Sequence, residues 1–238
     1  VRGGITPSIL LQKGDTNRGA GNTQGDTTLA GATYKVEYWN AWSASGNPTA
    51  TGTWTTNANG ELICNQGSWP YGSGGKATFP FGTYRVTETS APAGYSAMAA
   101  RTFTVQTSNA AGNLTLTKGS GWDSGSTTAD TGLISIEPSI TKGKVSVIVD
   151  DIQNVTAQGD AAIPGAVVEL VNNSSAPVIV NGTTYNVGAV IETVTCTENG
   201  RVTFSSQVPY GTYIVRQKSA PNGYTKSSAT LTATVHGT

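Results

Sequence analysis

The sequence predicts an all-β protein made of two tandem β-sandwich domains. Thirty-seven threonines and twenty valines stand against one methionine and one histidine, a composition of strands rather than helices. Thirty glycines punctuate the chain as turns. One strand motif is written twice: residues 79–95 read FPFGTYRVTETSAPAGY and residues 208–224 read VPYGTYIVRQKSAPNGY.

Taken in order, the elements of the first copy alternate apolar and polar residues. Ile9 and Leu11 begin the series, followed by Tyr34, Val36 and Tyr38, then Tyr84 and Val86, then Phe103 and Val105. The second copy repeats it with Val145 and Val147, Val168 and Leu170, Tyr213 and Val215, then Leu231 and Val235. Period-two alternation buries one face of a strand and wets the other, and antiparallel sets of this kind pack as sandwiches. The entry LAGATYKVEY at residues 29–38 returns as IPGAVVELVN at 163–172, and Asn59-Gly60 returns as Asn199-Gly200, where positive φ favours a hairpin turn. Pro92 and Pro221, each followed two residues later by glycine, end a strand. The link falls near residues 138–143, which sets the domains at 1–140 and 141–238.

Fourteen basic and fourteen acidic side chains cancel, with no basic surface for nucleic acid. No apolar run approaches the roughly 20 residues of a spanning helix. Low charge with abundant Thr, Ser, Asn and Gly fits an exported protein. Chemical motifs are weak: the GWDSG at 121–125 has only His236 to serve as base, and Gly72 to Gly75 lacks the Lys-Ser/Thr of a phosphate loop. Cys64 and Cys196 sit on opposite arms of equivalent hairpins and are expected not to bridge. With no Cys/His cluster, neither a metal nor a cofactor is expected, and no convergent acid, base and nucleophile marks an enzyme.

The Leu-Ala-Gly-Ala entry, the Gly-x-Tyr-x-Val-x-Glu strand and the Ala-Pro-x-Gly-Tyr closure resemble the B-type repeat domains of Gram-positive collagen adhesins and sortase-assembled pilins. The resemblance covers nearly the whole chain in two copies. It implies a transthyretin-like sandwich, a place in a stalk or shaft at the cell wall or in a fimbrium, and other pilin or adhesin subunits as partners. It also implies an autocatalytic amide bond between a Lys on the first strand and an Asn or Asp on the last, promoted by the Glu of the Tyr-x-Val-x-Glu strand.

The residues speak to this bond independently. Lys13 is in phase with Ile9 and Leu11, and Glu88 with Tyr84 and Val86, so both charges should point inward. A lone buried charge costs several kcal/mol, so the two must pair, neutralise or react. The acid position departs from the family pattern. Alignment puts Glu137 there, out of phase with Ile134 and Ile136, while Asp130 is in phase but at the start of the strand. A cross-link from Lys13 to Glu137, with Asp130 as alternative, and a simple Lys13–Glu88 ion pair are the two readings.

The second copy should form no bond, because Val149 and Gln217 replace the lysine and the glutamate, and Asp150 and Asp151 read as turn residues. Only residues 225–238 follow Tyr224, whereas the first copy continues from 96 to about 138. A closing strand therefore looks absent, supplied by another chain or cut off at a boundary. All five tryptophans lie in the first copy, and Trp42, Trp69 and Trp122 fall in Gly/Ser/Asn-rich stretches. They either pack under long loops or recognise a glycan or host protein. Insertions at 42–53 and 63–77 enlarge that copy.

Overall fold

The structure is a computed structural model and describes residues 3–107, 114–122, 124–125, 133–137, 140–149, 163–197 and 200–237. The described residues form strands and turns and no helix, so none could cross a membrane as one. The chain divides into two compact units, residues 1–23 with 28–139 and residues 24–27 with 140–238.

In the first unit, one sheet runs Leu114–Lys118, Arg101–Thr107, Gly82–Ser90, Thr33–Trp39, Ala50–Thr55, with every pair antiparallel. The second sheet runs Ser124–Gly125, Leu133–Glu137, Leu11–Asp15, Gly19–Ala20, with Glu61–Leu62 also on Leu11–Asp15. Leu133–Glu137 and Leu11–Asp15 are parallel, in the register Leu133 to Leu11, Ser135 to Lys13 and Glu137 to Asp15. The alternation read from the sequence is the buried face: Tyr34, Val36, Tyr38, Tyr84, Val86 and Phe103 are at most 1% exposed. Their rings interlock, Tyr84 stacking on Phe103 at 4.6 Å and on Tyr38 at 4.9 Å between centroids.

Ala50–Thr55 corrects the reading of residues 42–53 as a loop insertion. It is an edge strand whose inward positions are Gly52 and Trp54. A Cβ on Gly52 would come within 2.4 Å of the Trp54 ring and 3.0 Å of Trp69, so glycine is what lets the two indoles close over the strand. The Asn59-Gly60 turn is also not a simple hairpin. It carries the chain from Ala50–Thr55 in one sheet to Glu61–Leu62 in the other, with Asn57 Oδ1 accepting from the N–H groups of Asn59 and Glu61.

The second unit has a four-stranded antiparallel sheet in the order Val190–Thr195, Val167–Asn172, Gly211–Ser219, Thr230–Val235. Facing it are the short pairs Lys142–Gly143 with Val208–Pro209 and Ser146–Ile148 with Arg201–Thr203. Val168, Leu170, Val202, Phe204 and Tyr213 form its core. The repeat extends to detail. Tyr84 and Tyr213 each donate their hydroxyl to the carbonyl four residues back, Pro80 and Pro209. Glu37 accepts from Arg85, and Glu169 from Arg216 across the same strand pair. Burial raises the pKa of both tyrosine hydroxyls, so they are proton donors at any physiological pH.

Glu37 supplies a pH prediction. The Arg85 guanidinium holds its carboxyl below the ordinary value, against a smaller opposing effect of burial and with Lys35 adding to it. Because the folded pKa is the lower one, this contribution to stability is complete above the unfolded pKa, about 4.5. It is lost as pH falls through the folded value. Glu192, whose burial is outweighed by hydrogen bonds from Ser205 and Ser206, acts in the same direction. Melting temperature should be flat near neutrality and fall below pH about 4.5, and Glu37→Gln should flatten that acid limb. An unchanged limb would remove Glu37 from this account.

Candidate functional site

Lys13 lies in the middle of Leu11–Asp15, on the same face as the fully buried Leu11. Its backbone is fixed on two sides: Lys13 N–H donates to Gly60 O at 2.7 Å, and Gly21 N–H donates to Lys13 O at 3.0 Å. Gly60 has φ +75°, and a Cβ there would sit 2.6 Å from the Lys13 carbonyl oxygen, so the Asn-Gly turn serves as a close backstop to the lysine strand.

Both charges predicted inward are inside. Lys13 Nζ is 2.7 Å from Glu88 Oε1, and both side chains are 0% exposed. The other carboxylate oxygen, Oε2, accepts the Met98 N–H at 2.6 Å. The Tyr95 ring centroid is 5.9 Å from Nζ. Desolvating an ammonium and a carboxylate is expensive, and this short contact with added hydrogen bonds is the geometry that offsets it.

Sequence reasoning missed Asp15 and the role of Tyr95. Asp15 is fully buried. Its Oδ2 accepts the Tyr95 hydroxyl at 2.7 Å, and its Oδ1 accepts Asn17 N–H at 2.8 Å. The signal was available: Leu11, Lys13 and Asp15 keep strict alternation, although Gly-Asp-Thr-Asn has the composition of a turn. The site is therefore one ammonium with two carboxylates, covered by the closing tyrosine of the Ala-Pro-x-Gly-Tyr motif.

On the acid side, backbone register places Ser135 opposite Lys13 and Glu137 opposite Asp15. Asp130 lies outside the described residues, as do Asp150 and Asp151. In the second unit, Val149 N–H donates to Gly200 O at 2.7 Å, the bond Lys13 makes with Gly60, so Val149 occupies the lysine position. Gln217 Oε1 accepts Ser227 N–H at 2.6 Å, as Glu88 does from Met98, ten residues on in each case. The amide keeps the structural hydrogen bond and drops the charge.

The three tryptophans separate. Trp69 is 1% exposed within the aromatic core and donates Nε1–H to Thr78 O. Trp122 is 6% exposed, donates to Thr102 O and lies under the Arg101 guanidinium. Neither presents a free ring face, because the Gly-rich segments fold down over the sheet and bury their own aromatics. Trp42 alone of the three is open, 59% exposed and edge-on to Phe81 at 4.7 Å. Cys64 and Cys196 are buried free thiols, and burial pushes both pKa values up, so neither is a reactive thiolate.

Two sandwiches of this topology define a tandem prealbumin-like protein. The profile of the SpaA prealbumin-like fold domain matches residues 21–120 and 151–238, and the chain belongs to that family. Among solved structures, the chain is similar to the Bacillus anthracis TIE protein, with 17% identity, a TM-score of 0.47, 98% of this chain covered and 31% of that one. It is also similar to the pilus adhesin SpaC of Lactobacillus rhamnosus GG, with 18% identity, TM-score 0.49, and coverage of 97% and 26%. Against the shaft pilin SpaA of the same organism (D295N mutant), identity is 15%, TM-score 0.30, and coverage 98% and 94%. The chain thus spans about a third of the TIE protein and a quarter of SpaC. No curated protein matches it at the sequence level.

Proposed function

We propose that the chain is a structural segment of a Gram-positive surface pilin or adhesin, a stalk or shaft module whose first unit is locked by an internal amide bond at Lys13. The observation that carries this reading is the fully buried Lys13–Glu88 contact of 2.7 Å, at positions that the second unit fills with the uncharged Val149 and Gln217. A fold that needed only packing and backbone hydrogen bonds would carry no charge at these positions, as the second unit carries none. Retaining a costly ammonium and carboxylate in one of them favours a chemical use.

In the proposed reaction, Glu88 Oε1 takes a proton from Lys13 Nζ. The freed amine attacks the carboxyl carbon of an acid on the last strand, Glu137 in the leading assignment and Asp130 in the alternative. With that acid protonated, Glu88 gives the first proton to the departing hydroxyl and takes the second from the attacking nitrogen, so one C–N bond replaces one C–O bond, water leaves and Glu88 ends protonated. The intact chain should then weigh about 18 Da, one water, less than its sequence mass. Lys13→Met should restore the full mass. Fragment spectra should place the loss on a peptide joining Lys13 to residue 137 or 130. An unshifted mass leaves the ion pair as the whole of the site.

The partners on this reading are other subunits of the same surface assembly, at the cell wall or in a fimbrium. One way to join them is strand addition at the second unit. A second reading, recognition of a glycan or host protein, rests on Trp42, whose indole stands out on the Phe81 ring.

A further inference from the structure

The second unit includes four residues from early in the chain, Gln24–Thr27. They close on themselves as a turn: Thr27 N–H donates to Gln24 O at 3.2 Å, and the Thr27 hydroxyl donates to the same oxygen at 2.7 Å. Gly25 has φ +61°, which glycine adopts without strain. Backbone bonds hold the turn in place. Gly25 N–H donates to Pro177 O, Asp26 N–H to Tyr210 O, and Ala176 N–H to Gly25 O, at 3.0 to 3.1 Å. The side chains add contacts that depend on their identity. Gln24, 1% exposed, accepts Ile179 N–H on Oε1 at 3.0 Å. A Cβ at position 25 would overlap the Tyr210 carbonyl oxygen, so glycine alone fits there. The Asp26 carboxylate accepts the Ser175 N–H at 2.8 Å and the Ser175 hydroxyl at 3.2 Å on Oδ1, and the Thr212 hydroxyl at 2.6 Å on Oδ2. His236 Nε2 stands 3.5 Å from the same Oδ2, its ring stacked on Tyr210. Burial, which would raise the Asp26 pKa, is outweighed by the hydrogen bonds from Thr212 and Ser175, so its carboxyl lies below the ordinary value.

We infer that the second unit carries a peptide-binding site selective for a Gln-Gly-Asp turn, with Ser175 and Thr212 as its carboxylate cradle, and that this chain fills the site with its own residues 24–27. The repeat shows the cradle to be a departure from the shared framework. Counting along the two copies, Thr212 corresponds to Thr83 and Ser175 to Ala41. In the first unit the Thr83 hydroxyl is spent on the Ala41 carbonyl, at 2.8 Å. In the second, alanine has become serine and the threonine hydroxyl goes to Asp26 instead. Three donors then converge on one carboxylate, and charge-assisted bonds of this kind are the strong ones. If side-chain chemistry holds the turn, removing the carboxylate releases all of it. If chain connectivity holds it, only the bonds removed are lost.

Backbone hydrogen exchange of the full chain, read residue by residue by NMR, tests this with Asp26→Ala. The amides of residues 25, 26, 176 and 179, none of which bonds to the Asp26 carboxylate, should exchange about tenfold or more faster, while those of Val168 and Leu170 stay protected. Gly25→Ala should have the same effect with the carboxylate intact, because the added methyl group drives the turn off Tyr210 O. The synthetic peptide Asn-Thr-Gln-Gly-Asp-Thr-Thr-Leu, residues 22–29, added at millimolar concentration to the Asp26→Ala chain, should slow residues 175, 176 and 179 again. The same peptide with asparagine in place of aspartate should bind about tenfold or more weaker. Three results overturn the inference. Faster exchange confined to residue 175 means that connectivity holds the turn. Loss of protection spreading to Val168 and Leu170 makes the turn part of the core, and no slowing by the peptide means that there is no separable site. None of these readouts involves Lys13, so this site and the amide bond can fail separately.

Discussion

Replacing Glu88 with alanine should unfold the first unit more readily by about 3–5 kcal/mol, because it leaves the Lys13 ammonium in a site that is closed to water. It also strips Met98 N–H of the carboxylate oxygen that accepts it. For a unit of this size the melting temperature should drop by roughly 10 °C or more. Gln217→Ala, at the equivalent place in the second unit, removes a neutral hydrogen bond to Ser227 N–H and should cost about 1 kcal/mol. The contrast reflects both the charge and the deeper burial of Glu88. Pairing Lys13→Met with Glu88→Leu should recover much of the loss if the site is only an ion pair, since apolar replacement of a buried pair is often neutral. If the site is cross-linked, the double variant stays well below the parent, because the covalent constraint on the unfolded chain has gone with it. Calorimetry of the four proteins separates the outcomes, and a Glu88→Ala loss under about 1 kcal/mol would refute the buried-charge account.

Trp69→Ala should be comparably severe, at about 3–5 kcal/mol. The indole is 1% exposed and contacts Tyr38, Trp54, Tyr71 and Phe79, with ring centroids 5.6 to 6.4 Å away. It also donates a hydrogen bond to Thr78 O at 2.8 Å. Truncation removes the packing of four rings at once and leaves a cavity that rigid aromatic neighbours cannot fill. Trp42→Ala, at an exposed ring, should change stability by less than about 1 kcal/mol. Denaturant titration followed by fluorescence measures both, and equal effects would mean that the residue 63–77 segment is not part of the core.

The two-domain β architecture was legible because repetition and alternation are properties of the chain itself. Lys13 and Glu88 could be placed inside for the same reason, each lying in phase with apolar residues. What escaped depends on contacts between distant residues. Nothing near Tyr95 indicates that its hydroxyl meets Asp15, which is 80 residues earlier. Ala50–Thr55 was hidden because one of its inward residues is a glycine, which leaves no apolar mark. The hairpin joining Val178–Val180 to Thr183–Tyr185 turns at Asn181 and Gly182, φ 49° and 80°, a pair that the sequence displays but that has no counterpart in the first copy and so falls outside the repeat. Trp69 and Trp122 show a limit of composition: it marks a segment as a loop without saying how deeply the loop folds onto the sheet.

The parallel neighbourhood of Leu11–Asp15 and Leu133–Glu137 has a mechanical consequence. Tension applied at opposite ends of the first unit would drag these two strands past each other along their length instead of peeling them apart. Every rung of the ladder would bear load together, so rupture would demand simultaneous failure and not sequential unzipping. A covalent tie between the same two strands would sit across that shear plane, where it would do most to prevent slippage.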